Sequence, residues 1–129
     1  MKSKNKRLKD KLDKIVSKYI RLRDKGICYT CGKEDDPKRQ HAGHYVKRSC
    51  MRLRWDERNI NCQCPRCNLF LGGNMDEYAL HLQKDYGEEI LKDLNRQKHL
   101  PVRIWKIREL EELLEDYKLK LKEYELENK

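Results

Sequence analysis

The chain has 129 residues and a mass of 15.7 kDa, 37% of it apolar and 41% charged, which is one domain's length with material for only a small core. Thirty-one Lys and Arg against 22 Asp and Glu give a net charge of +9, which favours a polyanion, nucleic acid first, over an acidic small ligand. No apolar run exceeds three residues (Leu69, Phe70, Leu71) and the Lys-rich start lacks the stretch of a secretory signal, so a spanning helix is excluded and a cytoplasmic protein without a membrane partner is expected.

Residues 1–60 carry 19 basic and 8 acidic side chains and residues 61–129 carry 12 and 14, so the first half is the one expected to face phosphates. Leu8, Leu12, Ile15, Tyr19 and Leu22 recur at intervals of 4, 3, 4 and 3, one face of a helix that Gly26 can stop. From Cys28 to Asn74 the periodicity gives way to Cys, His, Gly and Pro, with short stretches at Gln40 to Val46 and Met51 to Trp55 that read as brief strands. Pro65 suits the first turn of a helix starting near Cys64 and ended by Gly72 and Gly73. Asn74 and Glu77 resemble a reciprocal cap for the next helix, which stops at Gly87. An amphipathic stretch from Glu88 to His99 precedes Pro101. Ile107, Leu110, Leu114, Tyr117, Leu121 and Tyr124 then form a heptad seam, which either packs within the chain or pairs two chains into a homodimer. The expected division is a basic N-terminal arm at 1–27, a metal-stapled core at 28–76 and C-terminal helices at 77–129.

Cys28-Tyr-Thr-Cys31 and Cys64-Pro-Arg-Cys67 are two C-x-x-C pairs, and each two-residue gap lets a tight turn aim both thiolates at one tetrahedral ion. Four sulfurs suit a structural Zn²⁺, which a small intracellular domain can use in place of disulfides. Cys50 and Cys62 are left as small core residues. His81 and His99 lie on expected helices without partner motifs, and Trp55 and Trp105 read as core.

Between the pairs stand His41-Ala-Gly-His44-Tyr45, Leu53-Arg-Trp-Asp-Glu-Arg-Asn59-Ile60 and then Gln63-Cys64-x-x-Cys67-Asn68 through Gly73-Asn74. The order His, Asn, C-x-x-C-Asn resembles the HNH or ββα-metal nucleases, in particular the zinc-stapled type of endonuclease VII. The wording is closer still to the NinG/Rap family of lambdoid phage recombination proteins, from about Cys28 past Gly87. The resemblance implies an α+β fold in which a small zinc-stapled ββα-metal centre is flanked by N- and C-terminal helices. It further implies a divalent-metal-dependent endonuclease cutting Holliday junctions and D-loops in the host cell cytoplasm, beside other recombination proteins. Carried over by position, His44 is the general base, Asn68 a catalytic-metal ligand and Asn59 the residue that ties down the loop behind the base. One departure matters: HNH nucleases usually place an Asp or His ligand directly before the base, and here that position is Gly43. His41 is the nearest substitute, with Asp35, Asp36, Asp56 and Glu57 in reserve. The metal is then Mg²⁺, Mn²⁺ or another transition ion.

Lys38, Arg39, Lys47, Arg48, Arg52, Arg54 and Arg58 crowd the same region and are expected to grip phosphates, as is the Lys-rich N-terminal helix, with no base-reading code among them. The competing reading is a non-catalytic zinc protein that binds nucleic acid or scaffolds a recombination complex. A third possibility is an interaction protein working through its heptad seam.

Overall fold

The 4, 3, 4, 3 spacing at the start of the chain becomes α1 (Lys4–Arg23) in the computed structural model, which describes residues 2–127. Met1, Asn128 and Lys129, at the ends of the expected segments, lie outside the described residues. The Ser3 hydroxyl caps α1 by accepting from the Lys6 amide at 3.2 Å. The chain leaves the helix through Gly26 at φ +71, where a Cβ would stand 2.0 Å from the Asp35 carbonyl oxygen, so position 26 demands glycine on both counts. Two short strands come next, β1 (His41–His44) and β2 (Ile60–Gln63), then a π-helical turn (Arg66–Phe70) and the helices α2 (Met75–Tyr86), α3 (Glu89–Lys98) and α4 (Ile107–Glu127). The described residues form an α+β fold: four α-helices around one two-stranded antiparallel sheet.

The heptad seam of α4 closes on α1 of the same chain. Lys4 pairs with Glu111 at 4.0 Å and Lys18 with Glu125 at 3.4 Å, so the two helices run parallel in one register. Leu8, Leu12, Val16 and Ile20 interlock with Leu110, Leu114, Tyr117 and Leu121, and Trp55 and Ile60 complete this core. Each such side chain contributes about 1.5–3 kcal/mol on burial. The expected basic arm is therefore half of a core, with its lysines on the outer face. Trp105 covers the edge of this core with its ring tilted against Trp55. A second core joins α2 and α3 to the segment after β1 through Val46, Leu53, Tyr78, Leu82, Ile90 and Leu94.

The sheet lies between the two cores. Its register sets His41 opposite Gln63, Ala42 opposite Cys62, Gly43 opposite Asn61 and His44 opposite Ile60. Because residues alternate across a strand and directly opposed residues share a face, His41, Gly43, Asn61 and Gln63 occupy one side and Ala42, His44, Ile60 and Cys62 the other. The second side packs on α1; on the first, the Tyr78 hydroxyl of α2 donates to the Gly43 carbonyl at 2.7 Å and accepts from the Asn61 amide at 3.2 Å.

Three expected local structures differ. Met51 to Trp55 is a run of turns, with the Leu53 amide donating to the Cys50 carbonyl and the Asp56 amide to the Leu53 carbonyl. The strand partner of β1 is instead Ile60–Gln63, an apolar-polar alternation only four residues long in which the polar Asn61 and Gln63 are buried as well as Ile60 and Cys62. Asn74 forms no reciprocal cap: it sits in the left-handed region at φ +51 and its side-chain amide turns back to Cys67 Sγ at 3.7 Å.

Candidate functional site

The four cysteines of the two C-x-x-C pairs bring their sulfurs within 4.8 Å of one another, with Cys31 Sγ and Cys64 Sγ 3.7 Å apart. Zinc–sulfur bonds of about 2.3 Å in a tetrahedron put sulfurs about 3.8 Å apart, so this cluster is already at the size of a Zn²⁺ site. Its surroundings suit thiolates, since the Cys67 amide points to Cys64 Sγ at 3.5 Å and the Asn74 amide to Cys67 Sγ. Burial raises the Cys28 thiol, but the Thr30 hydroxyl and backbone amides outweigh it and bring its pKa down to about 6. Burial pushes the Cys31 thiol up to about 12. Burial raises the Cys67 thiol as well, a cost that a bound cation would offset, so the cluster can hold a structural metal such as zinc. Cys50 and Cys62 stand outside the cluster.

The cluster also fixes the turn that carries Asn68. The Asn68 amide donates to the Cys64 carbonyl at 3.0 Å and the Gly73 amide to the Cys67 carbonyl at 2.8 Å, so this turn is hung from the sulfur pair. The Asn68 side-chain amide lies 3.0 Å from His41 Nδ1. These two expected site residues meet, on the Gly43 face of the sheet.

His44 lies on the other face. Its Nε2 is 2.8 Å from the Arg54 carbonyl oxygen, which can only accept, so Nε2 carries the proton and Nδ1 the lone pair. Burial holds its pKa below the ordinary 6.5, keeping the ring neutral at physiological pH. Asn59 ties down the loop on either side of His44 and its partner: this fully buried amide accepts from the Val46 N–H at 2.8 Å and donates to the carbonyls of Val46 and of Leu53, the residue before Arg54, at 3.0 and 3.2 Å. His44 and Asn68 both line a cleft of about 520 Å³ whose wall also carries Lys47 and Lys98.

The expected phosphate-gripping residues divide into two groups. Lys38, Arg39, Lys47 and Arg48 are exposed, Arg39 and Arg48 in surface pairs with Asp35 and Asp13. Arg52, Arg54 and Arg58 are tied into the fold: Arg52 donates to the Pro101 carbonyl, Arg54 makes a two-pronged pair with Asp13, and Arg58 pairs with Asp56 and Asp93. Nor do the reserve carboxylates reach the His41 and Asn68 pair. Asp35 holds Arg39, Asp36 and Asp56 cap 3₁₀ turns, and Glu57 is bound by Tyr19, Arg23 and Lys120. His81 rests its ring near Tyr29, and His99 is exposed at the end of α3.

Comparison with known proteins gives this arrangement a family. The family model described as Bacteriophage Lambda NinG protein matches residues 1–127. The chain belongs to the NinG family. It is 33% identical over 112 residues to protein ninG of Escherichia phage lambda, covering 84% of this chain and 52% of that protein. Against protein ninG of Escherichia phage 933W it is 33% identical over 112 residues, and against that of Salmonella phage P22 33% over 114, each covering 84% of this chain and 53% of the relative. The chain thus spans about half the length of the curated NinG relatives it matches. No solved structure matches it.

Within this NinG chain, the structure adds three residues that sequence reasoning passed over. Asp13 on α1 receives Arg54, Arg48 and the Trp55 indole N–H and so anchors the segment whose carbonyl holds His44. Tyr78 pins the Gly43 carbonyl from α2. Gln63, directly before the second cysteine pair, is fully buried on the Gly43 face. Asp13 and Tyr78 carry no motif signal, and Gln63, although it opens the stretch that resembles the family, has no role that spacing assigns; each role becomes visible only through strand register and helix docking.

Proposed function

We propose that the chain is a divalent-metal-dependent endonuclease with an HNH-like ββα-metal centre that cuts branched DNA such as Holliday junctions and D-loops. The observation that carries this reading is the placement of His44, whose Nε2–H is committed to a backbone carbonyl, leaving the lone pair on Nδ1, and which lines the same cleft as Asn68 and two lysines. Phosphodiester hydrolysis needs a base to take a proton from water, a role worth about 10²–10⁴ in rate, and His44 Nδ1 fills it. Lys47 and Lys98 draw the phosphate into the cleft, and Asn59 ties down the loop around the base through Val46 and Leu53.

The donors gathered on the Gly43 face, an imidazole and amide oxygens with no carboxylate, fit a divalent ion, and Asn68 with His41 beside it would hold one. When bound, such an ion neutralises charge on the scissile phosphate and its leaving oxygen. A neutral nitrogen and oxygen set suits Mn²⁺ at least as well as Mg²⁺, which prefers carboxylates and water. Exposed Lys38, Arg39, Lys47 and Arg48 contact phosphates without reading bases, which matches recognition of DNA shape. Action in a bacterial host cell, with other recombination proteins, accords with the same reading and with the phage origin of the relatives.

A second reading, a non-catalytic zinc protein that binds nucleic acid or scaffolds a recombination complex, is favoured by the missing side chain at Gly43. Incubation of a labelled four-way junction and its matched duplex with Mg²⁺, Mn²⁺ or EDTA separates the two. The nuclease reading expects metal-dependent cutting of the junction, in Mn²⁺ at least as fast as in Mg²⁺. Tight junction binding with no cutting in either metal selects the scaffold.

A further inference from the structure

Position 43 is empty for a reason. A Cβ built on Gly43 would stand 1.8 Å from Gln63 Oε1 and 3.1 Å from Asn68 Oδ1, so the Gln63 amide oxygen itself takes the place of a side chain at position 43, with the Asn68 oxygen, from a different element, beside it. Gln63 is fully buried, and its amide has one orientation only. Its Nε2 donates to the Gly73 carbonyl at 2.8 Å and to the Thr30 hydroxyl at 3.1 Å, and a flipped amide would set oxygen against the carbonyl. Oε1 is therefore held toward the Gly43 gap, where it is buried and accepts no hydrogen bond. Leaving a buried acceptor unmet is unfavourable unless something else takes its lone pairs. The second oxygen is held as firmly, since the Asn68 amide is fixed through its Nδ2 by His41 Nδ1.

We infer that Gln63 supplies the metal ligand that Gly43 lacks: a divalent cation sits against Gly43 on Gln63 Oε1 and Asn68 Oδ1, and His41 serves as the positioning residue that orients Asn68. The ligand has moved from β1 to the facing strand. Gln63 lies opposite His41 in the register and shares its face with Gly43, so it reaches the gap from across the ladder. Both ligands are neutral, which leaves the ion's full charge to attract phosphate, and carbonyl-type oxygens suit Mn²⁺ and Mg²⁺. This deepens the proposed function and rests on it for the ion's role, but the ion's presence is testable without any cutting.

The test is a Mn²⁺ titration of the zinc-loaded full chain, monitored by the electron paramagnetic resonance signal of free Mn²⁺. Wild type should bind one Mn²⁺. Gln63→Met, close in volume but without the oxygen, should weaken binding by about tenfold or more. Asn68→Ala should do the same. Should Gln63→Met fail to retain its zinc, Gly43→Asp/Gln63→Ala decides: the transposed carboxylate should restore a Mn²⁺ site in a folded, zinc-loaded protein. A folded Gln63→Met with wild-type Mn²⁺ affinity, a wild type with no Mn²⁺ site, or a folded double variant with none overturns the inference. Junction cutting by the same samples keeps the two proposals apart. Wild-type affinity and cutting in Gln63→Met refute the Gln63 ligand and leave the nuclease standing, whereas Mn²⁺ held through Gln63 without any cutting refutes the nuclease alone.

Discussion

Replacement of Asn59 by alanine removes three buried hydrogen bonds at once and strands the Val46 N–H and the carbonyls of Val46 and Leu53. Each unmet buried group costs about 1–3 kcal/mol, and the loop relaxes enough to recover part of that, so the expected loss is about 3–5 kcal/mol. For a domain whose whole stability is about 5–15 kcal/mol this is a large fraction. In melting temperature it corresponds to about 10 °C or more. The assay is urea unfolding of the zinc-loaded protein monitored by circular dichroism, with the exposed Asn95→Ala expected to stay within about 0.5 kcal/mol of wild type. A loss below about 1 kcal/mol for Asn59→Ala, at an unchanged denaturant slope, would refute the claim that this side chain clamps the loop behind His44.

The depressed pKa of His44 means that below pH 6.5 the unfolded chain takes up a proton that the folded chain refuses, so stability falls as pH drops from 6.5 through the folded pKa. His44→Gln should flatten that slope in urea melts at pH 7.5, 6.0 and 5.0, and an unchanged slope would contradict the burial argument. Zinc-loaded protein should expose only the half-buried Cys50 to a thiol reagent, and chelation should make the four clustered cysteines reactive together with loss of near-ultraviolet circular dichroism. Rapid reaction of Cys31 in the loaded protein would exclude it from the metal. Asp13→Ala leaves Arg54 without its counter-ion and should cost about 3 kcal/mol, read by thermal melting; a neutral result would show that the pair holds nothing. Lys47→Ala and Lys98→Ala should each lower the salt dependence of junction binding by about one unit of slope, while unchanged slopes would remove both lysines from the phosphate path.

The helices were legible because their periodicity is set by one buried stripe each. In α1 the buried stripe is Leu8, Leu12, Val16, Tyr19 and Ile20, with the expected Ile15 and Leu22 at its margin, and in α4 it runs from Leu110 to Leu121 with Ile107 exposed; the structure packs the two stripes against each other. The sequence could not say whether the α4 stripe met its own chain or another, since both satisfy the same apolar pattern. β2 was overlooked because its alternation of Ile60, Asn61, Cys62 and Gln63 spans only four residues and runs straight into the cysteine pair, while Met51 to Trp55 imitated a strand with residues that pack from turns. The cysteine cluster was readable from spacing alone. Arg54 and Arg58 were indistinguishable from surface charges until α1 brought Asp13, and α3 brought Asp93, to meet them. Gln63 was hidden for a similar reason: a glutamine before a cysteine has no periodicity, and only the pairing of His41 with Gln63 sets it over Gly43.

Cutting and binding of a labelled four-way junction by wild type and His44→Ala, measured side by side in Mn²⁺ under single-turnover conditions, test the central claim most directly. The account predicts that the substitution removes cutting by about 10²-fold or more while junction affinity stays within a few fold. Cutting by His44→Ala at the wild-type rate would contradict it.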